Sequence, residues 1–294
     1  MPEQNFARAL QILQQTFGYK SFRPAQETVV KSLLEGRETV AIMPTGAGKS
    51  ICFQVPALLL PGVTLVISPL ISLMKDQVDA LTEAGAPATF INSSLGQAEA
   101  RARLSAIARG AYKIVYVAPE RLETDFFQSL LQEQTVSFIA IDEAHCLSQW
   151  GHDFRPDYRR IRTLLAGLPP RTPVLATTAT ANARVSADVA EQLGASLESG
   201  GAGGEQVLVL RGTLERGSLH LGVRMLPDAA SRLAWLTAYI RCAHGSGIIY
   251  CLTVSAAQEV AEHLRAAGAE VAAYTGQTDA AERERLEEDL KANR

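Results

Sequence analysis

The sequence predicts an α/β fold with a mostly parallel β-sheet, because short apolar runs alternate with longer segments of helical periodicity. The apolar runs are TVAIM (39–43), VTLVI (63–67), ATFI (88–91), KIVYV (113–117), VSFIAI (136–141) and PVLATT (173–178). Helix-like segments lie between them, including 69–84, 97–109 and 182–193. This alternation is typical of βαβ units, whose ligands bind at the carboxyl ends of the strands.

Length and composition indicate a globular protein of about two domains. The chain has 294 residues, and compact domains usually have about 100–200. Hydrophobic residues make up 47 %, which excludes global disorder. With 28 basic and 31 acidic residues the net charge is −3, so charge alone indicates no partner. The four cysteines form no C-x-x-C pair, which predicts free thiols in a reducing compartment and no zinc site.

Neither a signal peptide nor a membrane span is predicted. The first twenty residues lack a basic start followed by an apolar run. Segment 51–74 has no charged residue and is long enough to cross a bilayer, but its prolines divide it into a helix, a turn and a buried strand. We therefore expect an intracellular, cytoplasmic protein without a membrane segment.

A Gly- and Ser-rich stretch, ASLESGGAGGE (195–205), predicts a linker between two domains, 1–200 and 201–294. A long surface loop is the alternative. After it, strands are predicted at VLVL (207–210), LHLGVRM (219–225), GIIYC (247–251) and EVAAY (270–274). Helices are expected from about Asp228, from Val254 and in the charged segment at the end of the chain.

The segment PTGAGKS follows the first strand and opens a helix, which is the setting of a phosphate-binding loop. In such a loop, glycines turn backbone N–H groups toward the phosphates and the helix N-terminus adds positive charge. The predicted cofactor-binding residues here are Thr45, Gly46, Ala47, Gly48, Lys49 and Ser50. Lys49 would reach the β- and γ-phosphates of ATP, and Ser50 would ligate Mg²⁺. Met43 stands where the strict pattern has Gly, so an ordinary strand–turn–helix is the alternative.

A second motif, DEAH, follows the apolar strand FIAI. At the end of a strand neighbouring the first, Asp142 would hold Mg²⁺ beside Ser50, and Glu143 would accept a proton from the attacking water. Acidic residues after a strand also serve as helix caps, which is the alternative for DEAH alone. Two such motifs in one alternating sheet predict a nucleoside triphosphatase with Lys49, Asp142 and Glu143 as catalytic residues.

An aromatic- and arginine-rich loop follows DEAH directly. Aromatic faces stack on unpaired bases and guanidinium groups bind phosphates, so Trp150, Phe154 and Arg155 are candidates for binding single-stranded DNA. Beside the catalytic carboxylates, such a loop could sense DNA, with His145 and Gln149 as relays. The alternative is that the aromatic residues pack together at the surface.

Taken as a series, the motifs resemble those of RecQ-like DNA helicases, DEAH-type members of superfamily 2. The matching segments are FGYKSFRPAQ (17–26), MPTGAGKS (43–50), VISPLISLMKDQV (66–78), YVAPERL (116–122), DEAH (142–145), CLSQWGHDFRPDYR (146–159) and ATTATA (176–181). The resemblance implies a RecA-like P-loop NTPase domain followed by part of a second one. On the first segment, Gln26 would read the adenine edge, Arg23 would support the nucleotide and Tyr19 would stack nearby or belong to the core.

The same resemblance implies how hydrolysis is used. Ser68, Pro69 and Lys75 would contact the DNA backbone, or else simply begin a helix. Thr178 and Thr180 would couple hydrolysis to DNA movement. The implied activity is ATP- and Mg²⁺-dependent 3′→5′ translocation on single-stranded and partially duplex DNA in recombination or repair, and we expect a monomer.

The second part of the chain departs from the family pattern. GIIYCLTV (247–254) lacks a usual polar and basic pair, and YTGQT (274–278) replaces a usual Tyr-His-Ala-Gly. The family's fifth and sixth motifs, the last with an arginine finger, would follow Arg294, so weak turnover is expected of this chain. An ATP-binding DNA adaptor without unwinding activity and an RNA helicase are the alternative functions.

Overall fold

The structure is a computed structural model that describes residues 2–122, 135–148, 159–168, 172–197, 207–212 and 219–293. The chain divides into two compact units, Met1–Gly217 and Ser218–Arg294.

The first unit is built on seven parallel strands in the order β3-β4-β2-β5-β6-β1-β7. The strands are β1 (Thr39–Ile42), β2 (Val63–Ile67), β3 (Ala88–Ile91), β4 (Ile114–Val117), β5 (Val136–Ile141), β6 (Val174–Thr178) and β7 (Leu208–Arg211). The helices are α1 (Pro2–Phe17), α2 (Pro24–Leu34), α3 (Lys49–Leu59), α4 (Ile71–Glu83), α5 (Gln97–Ala108), α6 (Arg159–Ala166) and α7 (Ala183–Leu197). Single 3₁₀ turns lie at Pro119–Arg121 and Ala144–Leu147. The six strands predicted before the linker are confirmed, and so is the α/β class.

Helices cover both faces of the sheet, which explains why its strands read as continuous apolar runs. On one face Ala41 and Phe138 pack with residues of α2, α3 and α4 such as Phe53. On the other face Val40 and Ile139 pack with α5, α6 and α7. The strands are therefore buried on both sides. Of the uncharged segment 51–74, residues 51–57 and 63–68 are core, whereas the stretches 58–62 and 69–73 are partly or fully exposed. No helix in the described parts of the chain is long and apolar enough to cross a membrane.

The first helix forms an outer layer over the second and third. Ala9 and Leu13 of α1 are buried against Val30 of α2 and Val55 of α3. Phe6 of α1 adds to this contact, because its ring centroid lies 5.7 Å from that of Phe22 and 4.6 Å from Lys31 Nζ of α2. The contact fixes α2, whose first turn lies against the phosphate-binding loop.

Strand β7 corrects one expectation. The sequence suggests that 207–210 opens the second domain, but Leu208–Arg211 pairs in parallel with β1 and completes the first sheet. The Leu208 amide donates to the Glu38 carbonyl at 3.0 Å, and the Gly212 amide donates to the Ile42 carbonyl at 2.8 Å. The first unit therefore extends past the Gly-rich stretch to Gly217. The sequence of an apolar run does not indicate which sheet the strand joins. The Gly- and Ser-rich composition of 195–205 therefore did not mark the boundary between the two units.

The second unit has three helices, α8 (Ala229–Cys242), α9 (Val254–Ala266) and α10 (Ala280–Lys291), as the sequence predicts. Each begins at a side-chain cap: Asp228, Thr253 and Asp279 accept backbone N–H groups. The three strands predicted at 219–225, 247–251 and 270–274 do not form among the described residues 219–293. Their apolar side chains are exposed, 87 % at Val223 and 90 % at Tyr250. The apolar pattern is present there, but the ladder partners that define a strand are missing from this part of the structure.

Candidate active site

The loop between β1 and α3 has the backbone of a phosphate-binding loop. Gly46 and Gly48 have φ of +82° and +79°, in the left-handed region that glycine adopts readily. Gly48 is the N-cap of α3, and the Ala47 amide donates to the Pro44 carbonyl at 3.1 Å. The unsatisfied amides of the first helical turn and Lys49 are therefore presented together at the carboxyl edge of the sheet.

Two residues of the first motif hold this loop. The Gln26 amide nitrogen donates to the carbonyls of Ala47 and Gly48, both at 3.1 Å, and Arg23 Nη1 donates to the Gly46 carbonyl at 2.8 Å. Gln26 Oε1 accepts the Arg23 amide at 2.9 Å, so the Gln26 side chain satisfies the backbone N–H of the N-cap residue of α2. The two predicted adenine-side residues thus lie against the phosphate loop, and reading a base would require Gln26 to exchange these bonds. Tyr19 is 56 % exposed, which excludes its core alternative.

The two carboxylates predicted to be catalytic, Asp142 and Glu143, lie at the carboxyl end of β5. Asp142 is buried, and its amide donates to the Ile67 carbonyl of β2 at 2.8 Å. Burial raises the pKa of the Asp142 carboxyl, while a hydrogen bond from Thr177 and the Lys49 charge oppose the rise. A hydrogen bond with His145, and to a smaller extent the charge of Lys49, lower the pKa of Glu143. The positive charge of Lys49 thus favours the ionised form of both carboxylates.

Strand β6 lies between the two motifs, which corrects the expectation that their strands are neighbours. In the order β5-β6-β1, the strand that ends at Asp142 and the strand that ends at the loop both pair with β6. The Thr177 hydroxyl donates to Asp142 Oδ1 at 2.8 Å, and the Met43 amide donates to the Thr178 carbonyl at 3.0 Å. Thr177 is absent from the sequence-based candidates. Its place in ATTATA beside Thr178 was the available signal, but alternation along a strand does not reveal which hydroxyl faces a carboxylate.

Glu143 begins a polar cluster that leads from the catalytic centre to β6. Its φ of +49° is rare for a residue with a side chain and stores backbone strain, as is typical of functional sites. His145 Nδ1 lies 3.3 Å from Glu143 Oε2, 3.0 Å from Thr178 Oγ1 and 3.4 Å from Thr180 Oγ1. Hydrogen bonds with Cys146 and Glu143 raise the pKa of His145 to about 9. The structure therefore brings the predicted coupling residues His145, Thr178 and Thr180 into one contact group.

The donor set at this edge suits a divalent cation with hard oxygen ligands. Mg²⁺ binds through one or two protein oxygens together with water and substrate phosphate. The hydroxyl of Ser50, at the start of α3, and the carboxylate of Asp142 are such donors. A cation there would also offset the desolvation that raises the Asp142 pKa. No cluster of three acidic, His or Cys ligands occurs among the described residues.

The structure describes only some of the residues that are predicted to contact DNA. Ser68 is 3 % exposed and its amide donates to the Val117 carbonyl at 3.2 Å, whereas Lys75 is exposed on α4 and Pro69 lies between them. Gln149, Trp150, Phe154 and Arg155 lie outside the described residues. The Ser148 hydroxyl donates to Asp188 Oδ2 of α7 at 2.6 Å, so the end of the 3₁₀ turn Ala144–Leu147 is held to a helix.

Comparisons with known proteins show the family of this chain. The family described as DEAD/DEAH box helicase matches residues 23–189. The ATP-dependent DNA helicase RecQ of Haemophilus influenzae is 41 % identical over 96 % of this chain and 44 % of its own length. The RecQ helicase of Bacillus subtilis is 52 % identical over 63 % of this chain and 32 % of its own length. The chain thus spans less than half the length of these relatives.

Solved structures share the fold. The Mycobacterium smegmatis helicase Lhr bound to ssDNA and AMP-PNP matches 97 % of this chain and 40 % of that chain, with a TM-score of 0.68 and 17 % identity. Saccharomyces cerevisiae Dbp5 bound to RNA and ADP BeF3 matches 99 % of this chain and 73 % of that chain, with a TM-score of 0.72 and 18 % identity. With the matched family covering the loop, DEAH and β6, and RecQ proteins among its homologues, the chain belongs to the DEAD/DEAH box helicases as a RecQ-like member.

Proposed function

We propose that this chain binds ATP with Mg²⁺ and single-stranded DNA, and that it carries the nucleotide-hydrolysing part of a 3′→5′ DNA helicase of recombination or repair. The observation that supports this most directly is the strand order β5-β6-β1. DEAH, ATTATA and the loop that contains Lys49 follow or end these three strands at the carboxyl edge of the sheet, where Thr177 donates to Asp142 and the Met43 amide donates to the Thr178 carbonyl. A triphosphate bound at the loop would lie at the same edge of the sheet as the carboxylates of Asp142 and Glu143.

In this proposal the residues divide the work of hydrolysis. Loop amides and Lys49 bind the β- and γ-phosphates, while Ser50 and Asp142 hold Mg²⁺, which neutralises charge on the phosphate oxygens when bound. Glu143 accepts a proton from the water whose oxygen attacks the γ-phosphorus, and the bond to the β–γ bridging oxygen breaks. The low pKa of Glu143, set first by His145, keeps this carboxylate ionised and able to accept that proton.

The cluster after Glu143 supplies a route to DNA. His145 contacts Glu143 as well as Thr178 and Thr180, so a displacement of Glu143 would shift the residues at the end of β6 through His145. DNA contacts are assigned to Ser68, Pro69 and Lys75 and to Gln149, Trp150, Phe154 and Arg155, with stacking on the aromatic rings. The second unit would belong to a second RecA-like domain. The protein is proposed to act as a cytoplasmic monomer.

Nucleotide binding is tested with two variants at the site. Lys49→Ala should lose affinity for a fluorescent ATP analogue. Glu143→Gln should bind it normally but hydrolyse ATP about 10²–10⁴-fold more slowly, because only the proton acceptor is removed. Phosphate release with and without single-stranded DNA measures this. Equal ATP binding by Lys49→Ala and the unmutated chain would contradict the proposal.

The alternative functions are separated by binding experiments. A DNA adaptor would keep its DNA affinity and its biological role in Lys49→Ala, whereas a helicase would lose the role. Competition between single-stranded DNA and RNA of the same length distinguishes a DNA enzyme from an RNA enzyme. Stimulation of hydrolysis by RNA but not by DNA would reject the DNA assignment.

A further inference from the structure

Three polar side chains form a closed hydrogen-bonded group in the apolar layer beneath the candidate site. Tyr116 of β4 donates from its hydroxyl to Gln77 Oε1 at 2.6 Å. Gln54 of α3 donates from Nε2 to the Tyr116 hydroxyl at 3.1 Å and to Gln77 Oε1 at 3.2 Å. Tyr116 and Gln54 are 1 % and 6 % exposed, and Gln77 of α4 is half-buried. We call these three residues the Gln-Tyr-Gln group.

Each member belongs to an element that starts or ends at the functional edge. Gln54 lies five residues after Lys49 on the helix that opens at the phosphate loop, about 7.5 Å along its axis. Gln77 lies in the second turn of α4, the helix that carries Lys75 and follows Ser68. Tyr116 lies one residue before the end of β4 and three before the Pro119–Arg121 turn.

Burying these three polar side chains has a free-energy cost that apolar side chains in the same space would not have. A buried hydroxyl and two amides in an apolar layer must all find partners, because an unpaired buried polar group costs about 1–3 kcal/mol. Apolar side chains of the same size would fill the space without that requirement, as Phe53 does where it contacts the Tyr116 ring edge-on at 6.4 Å. Polar groups add directional hydrogen bonds, which hold α3, α4 and β4 in one relative position.

We propose that the Gln-Tyr-Gln group positions α4 in response to the nucleotide, by transmitting movement of α3 at the phosphate loop to the helix that carries the DNA-backbone residues. The inference rests on the proposed function, because it requires ATP at the loop. Gln54, Gln77 and Tyr116 are positioning residues here, since none of them contacts the nucleotide or the nucleic acid. The phosphate loop and α4 share this direct polar link through α3, in addition to the apolar contacts of the layer.

Hydrogen exchange measures this link in the full chain. In the unmutated chain, AMP-PNP with Mg²⁺ should slow exchange of amides in α4 as well as in α3. In Tyr116→Phe the slowing in α4 should shrink about 2–30-fold, while the affinity for AMP-PNP and the slowing in α3 are unchanged. Gln77→Met removes the shared acceptor at a half-buried position, and it should produce the same loss even if Tyr116→Phe folds poorly.

Tyr112→Phe is the matched control. Tyr112 precedes the same strand but packs on the other face of the sheet, against the cluster that contains Leu104, so it should leave the α4 response intact. An α4 response that persists in both Tyr116→Phe and Gln77→Met would overturn the inference. AMP-PNP binding without any α4 response in the unmutated chain would overturn it too, while leaving nucleotide binding in place. A chain that does not bind AMP-PNP would overturn the proposed function and this inference with it.

Discussion

The Thr177 hydroxyl donates a 2.8 Å hydrogen bond to Oδ1 of Asp142, across the pairing of β6 with β5. The bond matters because Asp142 is buried and its pKa is already raised by desolvation. A charge-assisted bond of this kind favours the ionised carboxylate, which is the form able to hold a cation.

Replacing Thr177 with Val should therefore raise the pKa of Asp142 further and weaken Mg²⁺-dependent nucleotide binding. A hydrogen bond to a charged group contributes about 1.5–3 kcal/mol. The Mg²⁺ concentration that gives half-maximal nucleotide binding at neutral pH should therefore rise roughly 10- to 150-fold. Titration of ATP analogue binding against Mg²⁺ measures this.

Thr64→Val provides the matched control on β2. Thr64 is fully buried, and its hydroxyl finds no hydrogen-bond partner among the described residues, so the same substitution there removes an unpaired polar group. It should stabilise the protein by about 1 kcal/mol and leave Mg²⁺ dependence unchanged. Equal effects of both substitutions on Mg²⁺ dependence would argue against a role for the Thr177 bond.

Gly48→Ala should damage the phosphate loop more than its backbone conformation alone requires. At φ +79° an L-residue costs about 1–2 kcal/mol, and an added Cβ would lie 2.4 Å from Gln26 Nε2. Gln26 must then release the carbonyls of Ala47 and Gly48, so ATP analogue affinity should fall along with stability. Gly85→Ala shares the positive φ of +76° but has no heavy atom within 4 Å of the added carbon, so it isolates the conformational cost. Unfolding free energies that match between the two variants would contradict this prediction.

His145 predicts a stability loss on the alkaline side. Its folded pKa is about 9 against an ordinary value of 6.5, so the folded state binds the proton more tightly. This contribution is complete below pH 6.5 and disappears as pH rises through 9. After allowance for solvent screening it amounts to about 1–2 kcal/mol.

Urea unfolding of His145→Gln between pH 6 and 9.5 measures it, because the stability difference from the unmutated chain should shrink as pH rises through this window. The control is His244→Gln, which makes the same substitution at an exposed position in the second unit. A pH-independent difference for His145→Gln would rule out the raised pKa.

The burial of Glu38 predicts a loss of stability at lower pH than the loss expected from His145. It is 8 % exposed, its Oε2 finds no hydrogen-bond partner in the described parts of the chain, and burial raises its pKa to about 7 from an ordinary 4.5. Stability should therefore fall between pH 4.5 and 7 as the folded carboxyl ionises without compensation.

Glu38→Gln should remove that dependence and stabilise the protein at pH 8 by about 1–2 kcal/mol, after allowance for partial solvation. At pH 4.5 the two proteins should be nearly equal. Thermal unfolding at both pH values checks this, with the exposed Glu83→Gln as control. A destabilised Glu38→Gln at pH 8 would show that the carboxylate has a compensating partner.

The first unit was predictable because its strands are buried on both faces, which makes each one a continuous apolar run between clear helical segments. The phosphate loop and DEAH were recognisable because their chemistry depends on residues adjacent in sequence. Thr177 was missed because its role depends on pairing between β5 and β6, which periodicity does not encode. The boundary failed at β7 for a related reason, since strand 208–211 is assigned to a sheet only by its register with β1.

In the second unit the helices were predicted correctly, whereas the predicted strands do not form among the described residues. Its helices were predicted from local sequence pattern, and the structure adds side-chain caps at Asp228, Thr253 and Asp279, which also act within a few residues. Its strand predictions failed because a strand is defined by partners, and Val223 and Tyr250 have the right residue types without a ladder in the described structure.

The pairing of β7 with β1 also places the end of β7 beside the loop that follows β1. The Gly212 amide donates to the carbonyl of Ile42, the last residue of β1. A Cβ on Gly212 would lie 3.5 Å from that carbonyl oxygen and 4.0 Å from Pro44 Cδ. A displacement of β7 would therefore reach the phosphate-loop segment through Ile42 of β1, the residue before Met43.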